Sequence, residues 1–96
     1  MPYQKTKMAD EDIINLYVYG FKSFGREQAE RYHADLEKTF LLLNLNPQMA
    51  RERTEFSPPV RLHFHASHII IYTITGQDIL ILRVLPNGQD WEQYLS

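Results

Sequence analysis

The chain has 96 residues and a formal net charge of −2, and 44% of its residues are hydrophobic. This length predicts one domain over residues 1–96, and the apolar content excludes an intrinsically disordered chain. The absence of cysteine excludes disulfides and thiolate chemistry, and the slight acidic excess argues against direct nucleic-acid binding.

The first predicted elements are a short strand and a helix. Residues 3–5 can form the strand, and the Thr6 hydroxyl can accept a hydrogen bond at a helix N-terminus. Apolar residues then recur at spacings of three and four, which is typical of one buried helix face. We expect that face to contain Ile13, Tyr17, Phe21 and Phe24, widened by Ile14 and Leu16. Gly25 is predicted to end the helix.

A second helix is predicted over residues 26–45. Its buried face is expected to hold Ala29, Tyr32, Leu36, Phe40 and Leu43. Asn46-Pro47 ends this helix, because the residue before a proline avoids the α-helical region. Only Gly25 and its neighbours separate the two helices, and so short a connection predicts a helical hairpin.

The second half of the chain is predicted to be a loop followed by strands. Residues 48–59 form the loop, and the strands cover residues 60–66, 68–75 and 78–85. The last two strands are joined by a tight turn at Gly76-Gln77. Pro86-Asn87-Gly88 then breaks the chain, and Asp90 is a candidate cap for a final helical turn through Trp91, Tyr94 and Leu95.

These elements predict an α+β fold in two layers. A helical hairpin with one apolar face needs a sheet to cover, and the strands supply one that is mainly antiparallel, with three to four strands. We expect the opposite face of the sheet to be partly open or covered by a partner.

Four arginines are the candidates for a functional basic surface: Arg51, Arg53, Arg61 and Arg83. Guanidinium groups bind carboxylate or phosphate through two parallel hydrogen bonds. For the first two, the alternative is solubility and ordinary ion pairs with Glu52 or Glu55. Arg83 interrupts an apolar strand, so it needs an internal carboxylate, a carboxylate of a partner protein or a target group as partner.

The histidines allow several interpretations. His63 and His65 share one face of a strand, but two ligands are too few for a zinc site, which favours a polar, solvated face. Counting strand positions places His68 on the opposite side from both. His68 and Tyr72 have groups suited to acid–base catalysis, but four strand residues separate them by ~13 Å. We therefore favour a hydrogen-bonded His68 and a core position for Tyr72, and for Trp91 either a lid on the core or an interface.

Several short motifs occur in order along the chain. They are Asp12-Ile13, Phe24-Gly25, Gln28-Ala29-Glu30-Arg31-Tyr32, Asn46-Pro47, Ser67-His68 with Ile70 and Tyr72, and Arg83-Val84-Leu85. These motifs and the order of the elements, β-α-α-β-β-β, resemble the RelE/ParE toxins of bacterial toxin–antitoxin pairs, and the ParE branch in particular.

The resemblance implies a toxin that poisons DNA gyrase by protein–protein contact, without catalysis and without a cofactor or metal. It also implies a ParD-like antitoxin that folds around the toxin to form a hetero-oligomer. Residues predicted to contact the target or the antitoxin are Arg51, Arg53, Arg61, His68, Tyr72, Arg83 and Trp91. No apolar run reaches the ~18 residues of a membrane span and the first residues lack a signal-peptide core, so we expect a cytoplasmic protein.

The alternative is a ribosome-dependent mRNA endonuclease like the RelE branch, in which Arg61, Arg83, His68 and Tyr72 would supply acid–base and phosphate-binding groups. The negative net charge, the lack of a basic run and the absence of a histidine after His68 argue against it. A third possibility is an inactive antitoxin-binding module. Many relatives continue from Arg-Val-Leu into a histidine and arginines, whereas residues 86–89 here are Pro86, Asn87, Gly88 and Gln89.

Overall fold

A computed structural model describes residues 3–88 and 90–95. Two helices and five strands follow one another, and the chain ends in a short 3-10 helix. In chain order they are β1 (Gln4–Lys5), α1 (Lys7–Phe24), α2 (Arg26–Leu45), β2 (Glu52–Arg53), β3 (Val60–His65), β4 (His68–Thr75), β5 (Asp78–Pro86) and the 3-10 helix Trp91–Leu95.

The predicted helix ends are confirmed, because local side-chain and backbone chemistry fixes them. The Thr6 hydroxyl accepts a hydrogen bond from the Ala9 N–H at 3.0 Å and donates one to the Leu82 carbonyl at 2.8 Å, so it caps α1 and ties it to β5. Gly25 ends α1 with φ +93°, a conformation that residues with a Cβ rarely adopt. Asn46 caps the C-terminus of α2.

The five strands form one sheet in the order β1-β5-β4-β3-β2. β1 runs parallel to β5, and every other neighbouring pair is antiparallel. The sheet is one strand larger than predicted, because Glu52 and Arg53, inside the expected loop, pair with Arg61 and Val60. Two residues are too few to show the alternation by which a strand is recognised.

The helices pack on one face of the sheet and form the main core. There Phe40 of α2 contacts the ring of Tyr3 edge-on, with centroids 5.4 Å apart. The predicted face of α2 is confirmed, since Ala29, Leu36, Phe40 and Leu43 are buried and Tyr32 is half-buried. The sheet contributes Ile70, Tyr72, Ile79, Ile81 and Val84 to this core.

The predicted buried face of α1 is only half right. Ala9 and Ile13 are buried, but Phe21 and Phe24 are 47% and 60% exposed. Periodicity identifies an apolar stripe but does not reveal where the supporting sheet ends. The C-terminal half of α1 therefore carries apolar side chains that this chain does not bury.

The opposite face of the sheet has a second, smaller core of Val60, Leu62, Ile69, Ile71 and Leu85. Phe56 from the loop and Trp91 and Leu95 from the 3-10 helix pack against it. The loop and the C-terminal 3-10 helix thus cover part of this face, while Phe64, which pairs with Ile69, is 55% exposed, so the face is partly open as expected.

Candidate interaction surfaces

Arg83 finds its predicted partner inside the chain. Its Nε and Nη2 donate to the two carboxylate oxygens of Asp12 at 2.7 and 2.9 Å, and the side chains are 15% and 13% exposed. The Asp12 carboxylate also accepts the Val84 N–H at 3.0 Å. The hydrogen bonds to Asp12 raise the pKa of the Arg83 guanidinium further above its usual range. Of the three partners considered for Arg83, the internal carboxylate is therefore the one this structure contains.

Asp12 also compensates for the shortness of β1. That strand pairs only with Leu80 and Ile81 of β5, and beyond it Asp12 takes the Val84 N–H. Asp12 belongs to the Asp12-Ile13 motif, but its role was not predicted from the sequence. It lies three residues after the buried Ala9, and this spacing indicates that Asp12 is on the buried face of α1.

Arg53 and Trp91 meet on the sheet face away from the helices. The Arg53 guanidinium lies 5.9 Å from the Trp91 ring centroid and 6.0 Å from that of Phe56, within cation–π range. It also pairs with Glu55 at 2.7 Å and thereby lowers the pKa of that carboxyl, to which Arg51 adds a smaller effect. Arg51 itself is exposed. This corner carries the basic and aromatic groups predicted for contact, with Trp91 packed as a lid on the smaller core.

Arg61 and Tyr72 hold the chain that follows α2. They are cross-strand partners, and their side chains reach the carbonyls of Ala50 and Pro47 at 2.6 and 2.8 Å. Tyr72 is completely buried, and burial raises the pKa of its hydroxyl. In this conformation Tyr72 presents no atom to a target or antitoxin, so its predicted contact is corrected to a core position.

The predicted arrangement of the histidines is wrong. His65 and His68 are paired across the β3–β4 turn, so they lie on the same face, together with His63 and on the helix side. Counting alternate positions failed because the two-residue turn, in which Ala66 has φ +51°, returns the chain to the same face. His63 and His65 do not form the solvated polar face that was expected, since both are half-buried, whereas His68 is hydrogen-bonded as expected.

Tyr32 of α2 completes this cluster. Its hydroxyl lies 2.6 Å from His68 Nδ1, and its ring is 5.6 and 5.5 Å from the rings of His65 and His68. Burial lowers the pKa of His68, which favours the neutral ring. Within the described ranges, no group of three or more His, Cys, Asp or Glu side chains is placed to hold a metal ion.

The segment that departs from the family pattern continues the sheet. Pro86 pairs with His68, and the Asn87 N–H donates to the Ser67 carbonyl at 2.8 Å. Gln89 lies outside the described residues.

The structure does not bring the predicted arginines and histidine together. Arg53 lies with Trp91, Arg61 with Tyr72 and Arg83 with Asp12, and His68 lies at the β3–β4 turn.

The helical hairpin is the most apolar part of the surface. Of the twelve large hydrophobic residues that are well exposed in the described chain, only Met49, Phe64 and Tyr94 lie elsewhere. The nine on the hairpin are Met8, Ile14, Val18, Tyr19, Phe21, Phe24, Leu41, Leu42 and Leu45. No helix in the described chain is long and apolar enough to cross a membrane.

Comparisons with known proteins agree on one family. Residues 3–91 match the model for the ParE toxin of the type II toxin–antitoxin system parDE. Toxin ParE1 of Caulobacter vibrioides is 26% identical over 95 residues, covering 99% of this chain and 98% of that protein. Toxin ParE1 of Mycobacterium tuberculosis is 26% identical over 94 residues, covering 97% and 96%. A chain from the chromosomal ParDE system of P. aeruginosa superposes with a TM-score of 0.76 at 22% identity, covering 90% of this chain and 95% of that one.

Proposed function

The chain belongs to the ParE toxin family of type II toxin–antitoxin systems, and we propose that it poisons DNA gyrase by protein–protein contact and is neutralised by a ParD-like antitoxin. It would act in the cytoplasm without catalysing a reaction. The observation that carries the proposal is the apolar surface of the hairpin. Because the family consists of toxins of type II toxin–antitoxin systems, a second protein that covers this surface is expected.

The exposed hairpin supports a binding function because exposed large apolar side chains concentrated on one element favour an interaction site. An amphipathic antitoxin segment that folds on binding would bury the side chains that the sheet leaves uncovered. The same coverage would keep the toxin from its target, which gives neutralisation a simple steric basis.

The side chains considered for the nuclease alternative have other partners in this chain. The buried Tyr72 donates its hydroxyl to the Pro47 carbonyl, Arg83 is held by Asp12, and His68 Nδ1 lies 2.6 Å from the Tyr32 hydroxyl. None of these groups converges with another on a common open centre. This arrangement supports a contact mechanism over acid–base chemistry, which needs its groups within hydrogen-bond reach of one reacting site.

The target is tested with purified protein and gyrase. We expect inhibition of supercoiling and accumulation of cleaved DNA, and we expect the antitoxin to reverse both effects. No effect at micromolar concentration would exclude gyrase as the target. Codon-positioned cuts in messenger RNA within minutes of induction would establish the nuclease instead, and harmless expression without antitoxin would indicate the inactive module.

The antitoxin surface is tested with two matched variants. Phe24 on the hairpin and Phe64 on the sheet are 60% and 55% exposed, so each Phe→Ser change removes a similar exposed ring. We expect the gene of a ParD-like antitoxin to adjoin the gene of this chain. With its product, Phe24→Ser should weaken binding at least about tenfold and Phe64→Ser should not. Equal affinities for both variants would place the antitoxin elsewhere.

A further inference from the structure

A cavity of about 600 Å³ opens where the hairpin passes the β3–β4 turn. α1 supplies Leu16, Tyr19, Gly20 and Phe24 to its wall, α2 supplies Ala29 and Tyr32, and the turn supplies Ser67 and His68. The exposed rings of Tyr19 and Phe24 contact each other edge-on, with centroids 6.5 Å apart, and form one side of the opening. Ligand sites in proteins have volumes of roughly 300–1,000 Å³, so this space is large enough for a complete side chain.

The wall of the cavity favours an apolar occupant. A Cβ built on Gly20 would lie 3.7 Å from the Ala29 Cβ, so the two helices approach closely here and no side chain fills the space. Two polar groups of the wall are already hydrogen-bonded to each other, because the Tyr32 hydroxyl lies 2.6 Å from His68 Nδ1. An apolar group entering the cavity would leave neither of these two atoms without its partner.

The rim of the cavity carries one uncompensated negative charge. Arg31 is paired with Glu27 at 3.0 Å, one helical turn away. The carboxylate of Asp35 has neither an ion pair nor a hydrogen bond in the described part of the chain, where only its backbone carbonyl accepts, from Thr39. A basic group from a partner would meet this carboxylate without first breaking another pair.

We propose that the cavity seats one large apolar side chain, preferably aromatic, from the antitoxin, with a neighbouring lysine or arginine of the antitoxin on Asp35. This inference rests on the proposed function. Aromatic anchors in desolvated pockets dominate binding energy, and residues three or four apart on a helical segment would reach the cavity and its rim together. The antitoxin is thus expected to be basic at this point, although the arginines of the toxin suggest acidic contacts elsewhere.

A small probe tests the cavity without the antitoxin. Tryptamine carries an indole and an ammonium group, whereas indole-3-propionate carries the same ring with a carboxylate. In an NMR titration at constant salt, tryptamine should shift the amides of Gly20, Ala29 and Ser67 with a Kd of about 1 mM, and the anion should bind roughly 2- to 5-fold more weakly.

Two substitutions separate the ring from the charge. Asp35→Asn should abolish the preference for the cation, while Glu52→Gln, which removes one exposed carboxylate from the sheet edge, should preserve it. Gly20→Leu should fill the cavity and eliminate binding of both probes, with Gly20→Ala as its milder control. Shifts outside the cavity, or equal binding of the two probes, would overturn the proposal.

The same variants are then measured against the product of the adjoining antitoxin gene. Gly20→Leu should weaken binding roughly 30-fold and Asp35→Asn about 2- to 5-fold. If the antitoxin binds wild type and both variants equally, the anchor is disproved and the toxin–antitoxin assignment stands. If it does not bind wild type, the proposed function fails, and the probe titration still decides whether the cavity recognises a cationic aromatic group. Asp35→Asn needs no change of packing, so it decides the charge contact even if Gly20→Leu does not fold.

Discussion

Removal of the Asp12 carboxylate should be among the most damaging single changes to the stability of this domain. The carboxylate accepts two hydrogen bonds from Arg83 and one from the Val84 N–H, and both side chains of the ion pair are less than one-sixth exposed. Loss of one partner of a buried pair costs roughly 3–5 kcal/mol. Because some water reaches this pair, we expect Asp12→Ala to lower the free energy of unfolding by about 2–4 kcal/mol.

Urea denaturation of Asp12→Ala, Arg83→Ala and the double variant measures this contribution. The double variant should be about 1–3 kcal/mol more stable than the sum of the single losses predicts, since the single variants each leave a charge unpaired. Asp12→Asn keeps an acceptor for the Val84 N–H and should be about 1 kcal/mol milder than the alanine variant. As a control, Asp10→Ala breaks a pair with Lys5 that is more exposed, and should cost at most about 1 kcal/mol. Equal losses for Asp10→Ala and Asp12→Ala would refute the reasoning.

Three further predictions concern the core, the hairpin and the turn. Tyr72→Phe leaves the Pro47 carbonyl without its donor and should lower the free energy of unfolding by about 0.5–1.5 kcal/mol in urea denaturation. An unchanged free energy of unfolding would show that this hydrogen bond does not stabilise the fold. Gly25→Ala forces a Cβ into φ +93° and should lower the melting temperature, at a cost of roughly 1–3 kcal/mol, whereas Gly88→Ala in open space should change it little. Burial lowers the pKa of His68, so the unfolded chain binds its proton at higher pH than the folded one. Stability should therefore fall as pH drops below about 6.5, and His68→Gln should flatten that fall; an unchanged slope would contradict the assignment.

The predictions that succeeded depend on neighbours in the sequence. Thr6 caps a helix because its hydroxyl reaches an N–H three residues later, and Gly25 ends that helix through its own backbone conformation. The periodicity of α2 likewise identified a face that the fold buries along its whole length, from Ala29 to Leu43. Each cap is completed within about one turn of helix, so its signal is present in a short stretch of sequence, whereas the face of α2 is buried because the sheet supports it.

The predictions that failed depend on where elements meet. Phe21 has the spacing of a buried residue, but whether it is buried depends on how far the sheet extends beneath α1. The side chain of Arg83 showed that it needed a partner, but not that Asp12, 71 residues earlier, would supply it. His68 was assigned to the wrong face because its orientation depends on the length of the turn before it. For Arg83 and His68 the sequence therefore indicated the kind of contact that the side chain needs, but not which residues surround it.

The segment that begins at Pro86 and Asn87 lies in the same part of the molecule as the cavity. Pro86 and Asn87 extend β5 and hold the backbone of Ser67 and His68, which form the wall of the cavity beneath the hairpin. This segment fixes the β3–β4 turn in place. Because residues 86–89 carry no charged side chain, we expect recognition to depend more on the apolar hairpin and on Asp35 than on the C-terminal segment. Substitutions at Pro86 and Asn87 should then act on binding indirectly, by moving His68, and should have less effect than filling the cavity at Gly20.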